Sequence, residues 1–174
     1  MKNLVCSFIF SFLAVAVFAQ SGSWTVVEAA SVPEAVKAKQ SAQFPGTTVA
    51  KWEKKSGQNK KGVSFTHYVA VFKVDGNHTR ARFKEDGTLN TATTHLPAPK
   101  LPQAIQTMAA TKYAEYKLTG GEKIMDFSTN KETYRIKLLK GSAKLTVYVD
   151  ANGNEVQKDK VSENVKDSDT EGPK

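Results

Sequence analysis

Tyr68-Val69-Ala70-Val71-Phe72-Lys73-Val74-Asp75-Gly76-Asn77-His78-Thr79-Arg80-Ala81-Arg82-Phe83 reads as a β-hairpin. Its first half alternates, with Tyr68, Ala70, Phe72 and Val74 on one side and Val69, Val71 and Lys73 on the other. Asp75-Gly76 then supplies a strong signal for a two-residue turn, since both positions tolerate positive φ. That turn sets Val74 opposite Asn77. Tyr68, Ala70, Phe72 and Val74 therefore share a face with Thr79, Ala81 and Phe83. The other face collects His67, Val69, Val71, Lys73, His78, Arg80 and Arg82. An antiparallel sheet can bury one face and leave the other to solvent. The reading predicts a covered aromatic face and an open face of aliphatic and basic side chains.

Moving outward, Lys84-Glu85-Asp86-Gly87 forms a second turn, with Gly87 left-handed so that Phe83 and Leu89 stay on one side. Upstream, Val32-Pro33-Glu34-Ala35-Val36 opens a helical stretch that ends at Phe44 before Pro45-Gly46. Ser31 is the expected N-cap, and Val36, Gln40 and Phe44 form the inward side. The pattern then recurs. Leu101-Pro102-Gln103-Ala104-Ile105 opens a second helix ending at Tyr113, with Ile105, Met108, Ala109 and Tyr113 as its stripe. Tyr134, Ile136 and Leu138 match the inward strand set, as do Leu145, Val147 and Val149, with turns at Lys140-Gly141 and Asn152-Gly153. The helices repeat at an offset of 69 and the strands at 66. A repeat of this kind fixes the fold before any other signal. The expected class is α+β, a tandem repeat of one helix packed on a four-stranded antiparallel sheet. Trp52 is placed on the first strand of copy one, with Met125 and Phe127 on its weaker counterpart. Arg135, Lys137 and Tyr148 fall on the open face of copy two.

Lys2 precedes an apolar run from Leu4 to Phe18, closed by Val17 and Ala19 with the spacing of an export cleavage site. The run is shorter than the roughly 20 residues of a membrane span. Expected divisions are a signal peptide over 1–19, a lead-in over 20–30, repeats over 31–96 and 97–160, and a disordered tail over 161–174. Trp24, Val26 and Val27 are expected to pack on the first copy. Cleavage removes the single cysteine, Cys6, so disulfides, thiolate catalysis and thiolate metal sites are excluded. Loss of Lys2 takes the net charge from +8 to +7, which favours an acidic protein or an anionic envelope polymer as partner.

Catalytic signals are thin. Ser64 and Ser128 lack a nucleophile-elbow context. His67 and His78 share the open face, but no acidic residue alternates with them there, so solvated histidines are preferred to a metal site. Asp150 to Glu155 lacks the twelfth-position glutamate of a calcium loop and reads as an Asn-Gly turn. Lys51, Lys54, Lys55, Lys60 and Lys61 bracket an expected solvated loop at Ser56-Gly57-Gln58-Asn59. The aromatics point inward, away from the basic residues, which argues against nucleic acid.

The motif of x-Pro-x-Ala-Val, Phe44-Pro45, Lys51-Trp52-Glu53 and paired strands ending in Asp86-Gly87, repeated over roughly 31–157, resembles the PepSY-like family. These are exported bacterial proteins related in fold to the β-lactamase inhibitor protein. The second copy departs from the pattern, with Tyr113-Ala114 for Phe-Pro and no tryptophan. The resemblance implies a tandem helix-plus-sheet fold, an exported location and no established enzymatic role; a periplasmic or secreted protein without a cofactor is expected. Some fold relatives inhibit secreted hydrolases through the open sheet face. The expected function is a non-enzymatic binding module centred on Val69, Val71, Arg80, Arg82, Arg135, Lys137 and Tyr148. The alternative is a structural envelope protein with no dedicated ligand.

Overall fold

The computed structural model describes residues 23–58 and 62–167, so the expected signal peptide lies outside the described residues. Among the described residues, eight strands lie in chain order across one antiparallel sheet. They are β1 (Thr25–Val27), β2 (Lys51–Gln58), β3 (Ser64–Val74), β4 (Asn77–Lys84), β5 (Leu89–Pro97), β6 (Lys117–Asp126), β7 (Lys131–Lys140) and β8 (Ala143–Val149). Helices α1 (Glu34–Gln43) and α2 (Gln103–Lys112) cover one face. A short helix, α3 (Glu163–Asp167), lies on the other.

The hairpin register is the one the alternation predicts: Tyr68 faces Phe83, Ala70 faces Ala81 and Val74 faces Asn77. Asp75 (φ 48°) and Gly76 (φ 76°) make the turn with both residues left-handed. Gly87 (φ 85°) brings Leu89 opposite Phe83. In copy two, Tyr134 faces Val149, Ile136 faces Val147 and Leu138 faces Leu145. The β7–β8 turn is Gly141-Ser142, one residue beyond expectation, since Lys140 still pairs with Ala143.

The expectation of a four-stranded sheet in each copy is corrected. Copy one supplies four strands, β2 to β5. Copy two supplies three, its fourth reduced to a single bridge between Val149 and Glu155. The lead-in adds β1, and β5 pairs along β6 from Thr91–Asp126 to Pro97–Gly120, so the copies share one sheet. Fusion hides two edges whose unpaired N–H and C=O groups would otherwise invite association.

Both helices start at a proline N-cap, Pro33 and Pro102, after a 3-10 turn at Ala29–Ser31 and Ala98–Lys100. Ser31 is therefore not the cap; its hydroxyl donates to the Glu28 carbonyl (2.7 Å). Val36 and Phe44 meet Trp52, Phe72 and Phe83 in the first core. Ile105 and Ala109 meet Tyr134, Ile136, Leu138 and Val149 in the second. Met125 lies on β6, the counterpart of β2, as expected, while Phe127 falls one residue beyond it; Trp52 faces Ala70 and Gly121 faces Ile136, which makes Gly121 the residue that answers Trp52. Leu101 reaches over that glycine, where a Cβ would lie 3.3 Å from its methyl group. Phe127 packs against the first core instead. Of the lead-in, Val27 packs on that core while Val26 is exposed. Ser56, Gly57 and Gln58 continue β2 rather than forming the loop.

The tail departs most from expectation. Val161 and Val165 are buried against Ile124 and Tyr148, so the chain is ordered there through α3 rather than disordered from 161. Residues 168–174 lie outside the described residues.

Candidate functional site

The face opposite α1 and α2 carries every residue singled out for binding, but it is not open. Val69 (0% exposed), Val71 (1%), Arg80 and Arg82 are buried, as are Arg135 and Tyr148. Lys137 is the exception, with 53% of its side chain exposed. The expectation of an open face is corrected by two causes. Glu53 pairs with Arg80 and Glu122 with Arg135, and the tail lies across one end.

Glu53 projects from β2 beside Val69 and is buried. Arg80 Nη2 donates to its Oε2 (2.5 Å), Arg80 Nη1 to its Oε1 (3.3 Å), and Lys51 Nζ lies 2.7 Å from Oε1. Burial raises the Glu53 pKa, but Arg80 and Lys51 outweigh it and hold the group below its ordinary value. Copy two repeats this design 69 residues on with Glu122 (122 − 53). Arg135 Nε donates to Glu122 Oε2 (2.5 Å), Lys137 Nζ to Oε1 (2.7 Å), and His95 Nδ1 sits 3.2 Å from Oε1. Against the opposing effect of burial, hydrogen bonds from His95 and Lys137 and the Arg135 charge hold Glu122 near 2. These carboxylates overturn the expectation that the face carries no acid. The signal was present: both glutamates sit at the helix offset, on strands whose alternation is weak.

At the other end of the face Asp126 is buried. It accepts hydrogen bonds from the Ser162 hydroxyl (2.5 Å), the Ser128 hydroxyl (2.7 Å) and N–H (2.9 Å), and the Asn164 amide (3.3 Å). Burial opposes ionisation, yet these donors bring Asp126 down to about 2. Arg82 Nη2 donates to the Asn164 carbonyl (2.7 Å). Asp126, Ser162 and Asn164 were not anticipated, because the tail reads as solvated polar chain.

Between these ends a groove of about 600 Å³ remains. Glu122, Arg135, Thr146 and Tyr148 line it from the sheet, and Val156 and Lys158 wall it from the tail. A second depression of about 500 Å³, beside His78 and His95, shares Lys137 with it.

His67 and His78 share this face but not a site. They pair with Lys84 and Lys73, six residues apart along β3, or about 20 Å at the usual strand rise. Burial and then the Arg82, Lys84 and Lys55 charges bring His67 down to about 4. His78 instead faces His95, with ring centroids 6.4 Å apart. At the Asp150 turn, Asp150 accepts from the N–H groups of Asn152 and Asn154 (both 2.9 Å), the hydrogen bonding of a tight turn. Among the described residues no helix is long and apolar enough to cross a membrane.

A family model described as "Putative beta-lactamase-inhibitor-like, PepSY-like" matches residues 9–65 and 66–157. No curated protein matches. Among solved structures, a BLIP-like protein from Bacteroides fragilis NCTC 9343 is 20% identical with a TM-score of 0.58, over 72% of this chain and 84% of that one. A protein described as "putative periplasmic" from Bacteroides eggerthii DSM 20697 is 18% identical with a TM-score of 0.56, over 72% and 86%. At such identity these structures speak for the fold. The helix-and-sheet repeat and the family match, which spans most of the chain, agree: the chain belongs to the PepSY-like family.

Proposed function

We propose that this protein is an exported, non-enzymatic binding module that docks a segment of an acidic protein in the groove between β6–β8 and the tail. An inhibitor-like action on a secreted or envelope protein fits the family's description and the periplasmic description of its structural neighbour. The observation that carries the reading is the groove itself. Its floor of Glu122, Arg135 and Tyr148 is held by strands and ion pairs, so little ordering entropy is lost on docking. Tyrosine and arginine are the residues that concentrate binding energy at interface centres. Lys137 and Lys158 stand exposed at the rim and would attract a carboxylate-rich segment.

Binding is favoured over catalysis because the charges on this face are already committed to one another. A carboxylate held near 2, as Glu122 is, makes a poor general base at neutral pH. The same self-pairing favours a second reading, a structural envelope protein with no dedicated ligand. Affinity capture from the native cell envelope separates the two. The binding reading expects a protein retained by the wild type and lost with Lys137→Glu or Thr146→Arg in the groove. Equal retention by both variants overturns the groove as the docking site, and retention of nothing supports the structural reading.

A further inference from the structure

The rest of the binding face is filled by the chain's own C-terminal segment. We infer that this part of the face is a recognition site for a short helical segment, that residues 161–167 are its resident occupant, and that a partner must displace them to engage the whole face. The inference rests on the binding reading above.

The contacts have the character of a docked peptide. Val161 and Val165, four apart, place two small aliphatic side chains on Ile124 and Tyr148, in a cluster separate from the two helix-side cores. Between them, Ser162 and Asn164 give hydrogen bonds to Asp126, and Asn164 gives another to Ser128 (3.0 Å). Arg82 takes the main-chain carbonyl of Asn164. Arg82 and Asp126 project from β4 and β6, so the sheet holds their main chain at the site whatever occupies it. The chemistry it selects is an extended valine-sized residue at i, a hydroxyl at i+1 that caps the following helical turn, an amide at i+3 and a second valine-sized residue at i+4.

Three features make the occupant displaceable. The helix spans five residues, far fewer than the roughly 12–15 an isolated helix needs, so it depends on docking for its form. Exposed Lys158, Asp159 and Lys160 precede it in a solvent-facing 3-10 turn. The segment also lies beyond residue 157, where the family match ends, so it is an addition to the repeat and not part of it. A tethered segment holds its site at an effective concentration in the millimolar range. A free ligand of matching chemistry must exceed that advantage.

The test uses the mature full chain and a synthetic peptide of residues 158–174. In the wild type carrying an isotope label, excess peptide should move the Val161 and Val165 amide resonances to random-coil positions while Ile124 and Tyr148 keep theirs. In Val161→Asp/Val165→Asp, fluorescence anisotropy should show the labelled peptide binding at least about tenfold more tightly than to the wild type. Adding Arg82→Ala to that variant should abolish the gain. Unmoved tail resonances at millimolar peptide overturn the inference, as does equal affinity for wild type and the doubly substituted chain. A captured partner that depends on Lys137 but leaves the tail resonances in place overturns this inference alone. Displacement by peptide with no partner dependent on Lys137 would sink the groove reading alone.

Discussion

Gly87 and the carbonyl of Ala35 are in direct contact: a Cβ on Gly87 would stand 2.7 Å from that oxygen. The same relation recurs in copy two, where a Cβ on Gly153 would stand 2.8 Å from the Ala104 oxygen. Each copy thus clamps the first turn of its helix with the glycine of the turn that follows its paired strands. Both glycines also have positive φ, 85° and 81°. Alanine at Gly87 should cost about 1–2 kcal/mol for backbone strain and a further ~1–3 kcal/mol for crowding. Alanine at Gly46 (φ 74°), which has open space around it, should cost the strain alone. Urea unfolding of the two variants measures the difference.

Phe72→Ala should destabilise by about 3–5 kcal/mol, since a buried aromatic leaves a cavity behind. Val71, on the opposite face, is as buried as Phe72. Val71→Ala should therefore cost about 2 kcal/mol, from two lost methyl groups and their cavity. A solvent-facing valine would cost well under that. Chemical denaturation of both variants checks the covering of the second face directly.

Glu53→Gln leaves Arg80 buried without its counter-charge and should cost about 3–5 kcal/mol. Replacing both at once, Glu53→Met/Arg80→Met, should cost less than the single change, because no buried charge is then left uncompensated. A double-mutant cycle by thermal or urea unfolding gives the coupling.

Acid should destabilise the fold in two stages. His67 has a folded pKa of about 4, below its ordinary 6.5. The unfolded chain binds its proton more readily, so stability falls as pH drops from 6.5 to 4. Asp126 and Glu122 are held near 2 in the fold. Their stabilisation is complete above the ordinary carboxylate range and is lost as pH falls towards 2. His67→Gln should flatten the first stage and Asp126→Asn part of the second, read from unfolding midpoints across pH 2–8.

Much of the site was written in the sequence but could not be assembled from it. The alternation of Tyr68 to Phe83 identified the face of Val69, Val71, Arg80 and Arg82, and the structure places all four there. Glu53 and Glu122 escaped notice because β2 and β6 mix charged and small residues, which gives no period-2 signal. Val161 and Val165 were two isolated valines in a polar tail. A helix of one or two turns has no periodicity to read, and its burial depends on Ile124, which lies 37 residues earlier (161 − 124).

By itself the sequence determined the repeat, the two helices, the hairpin register and the inward aromatic set. These follow from local rules: alternation fixes the face, Asp75-Gly76 fixes the turn, and proline fixes where the helices begin. Tertiary structure decided that the copies merge into one sheet, that Gly121 answers Trp52, and that the second face is paired and strapped. Those outcomes depend on which strand edges meet and which charges lie across from one another. Both are set by contacts between residues far apart in the chain, which leave no local pattern behind.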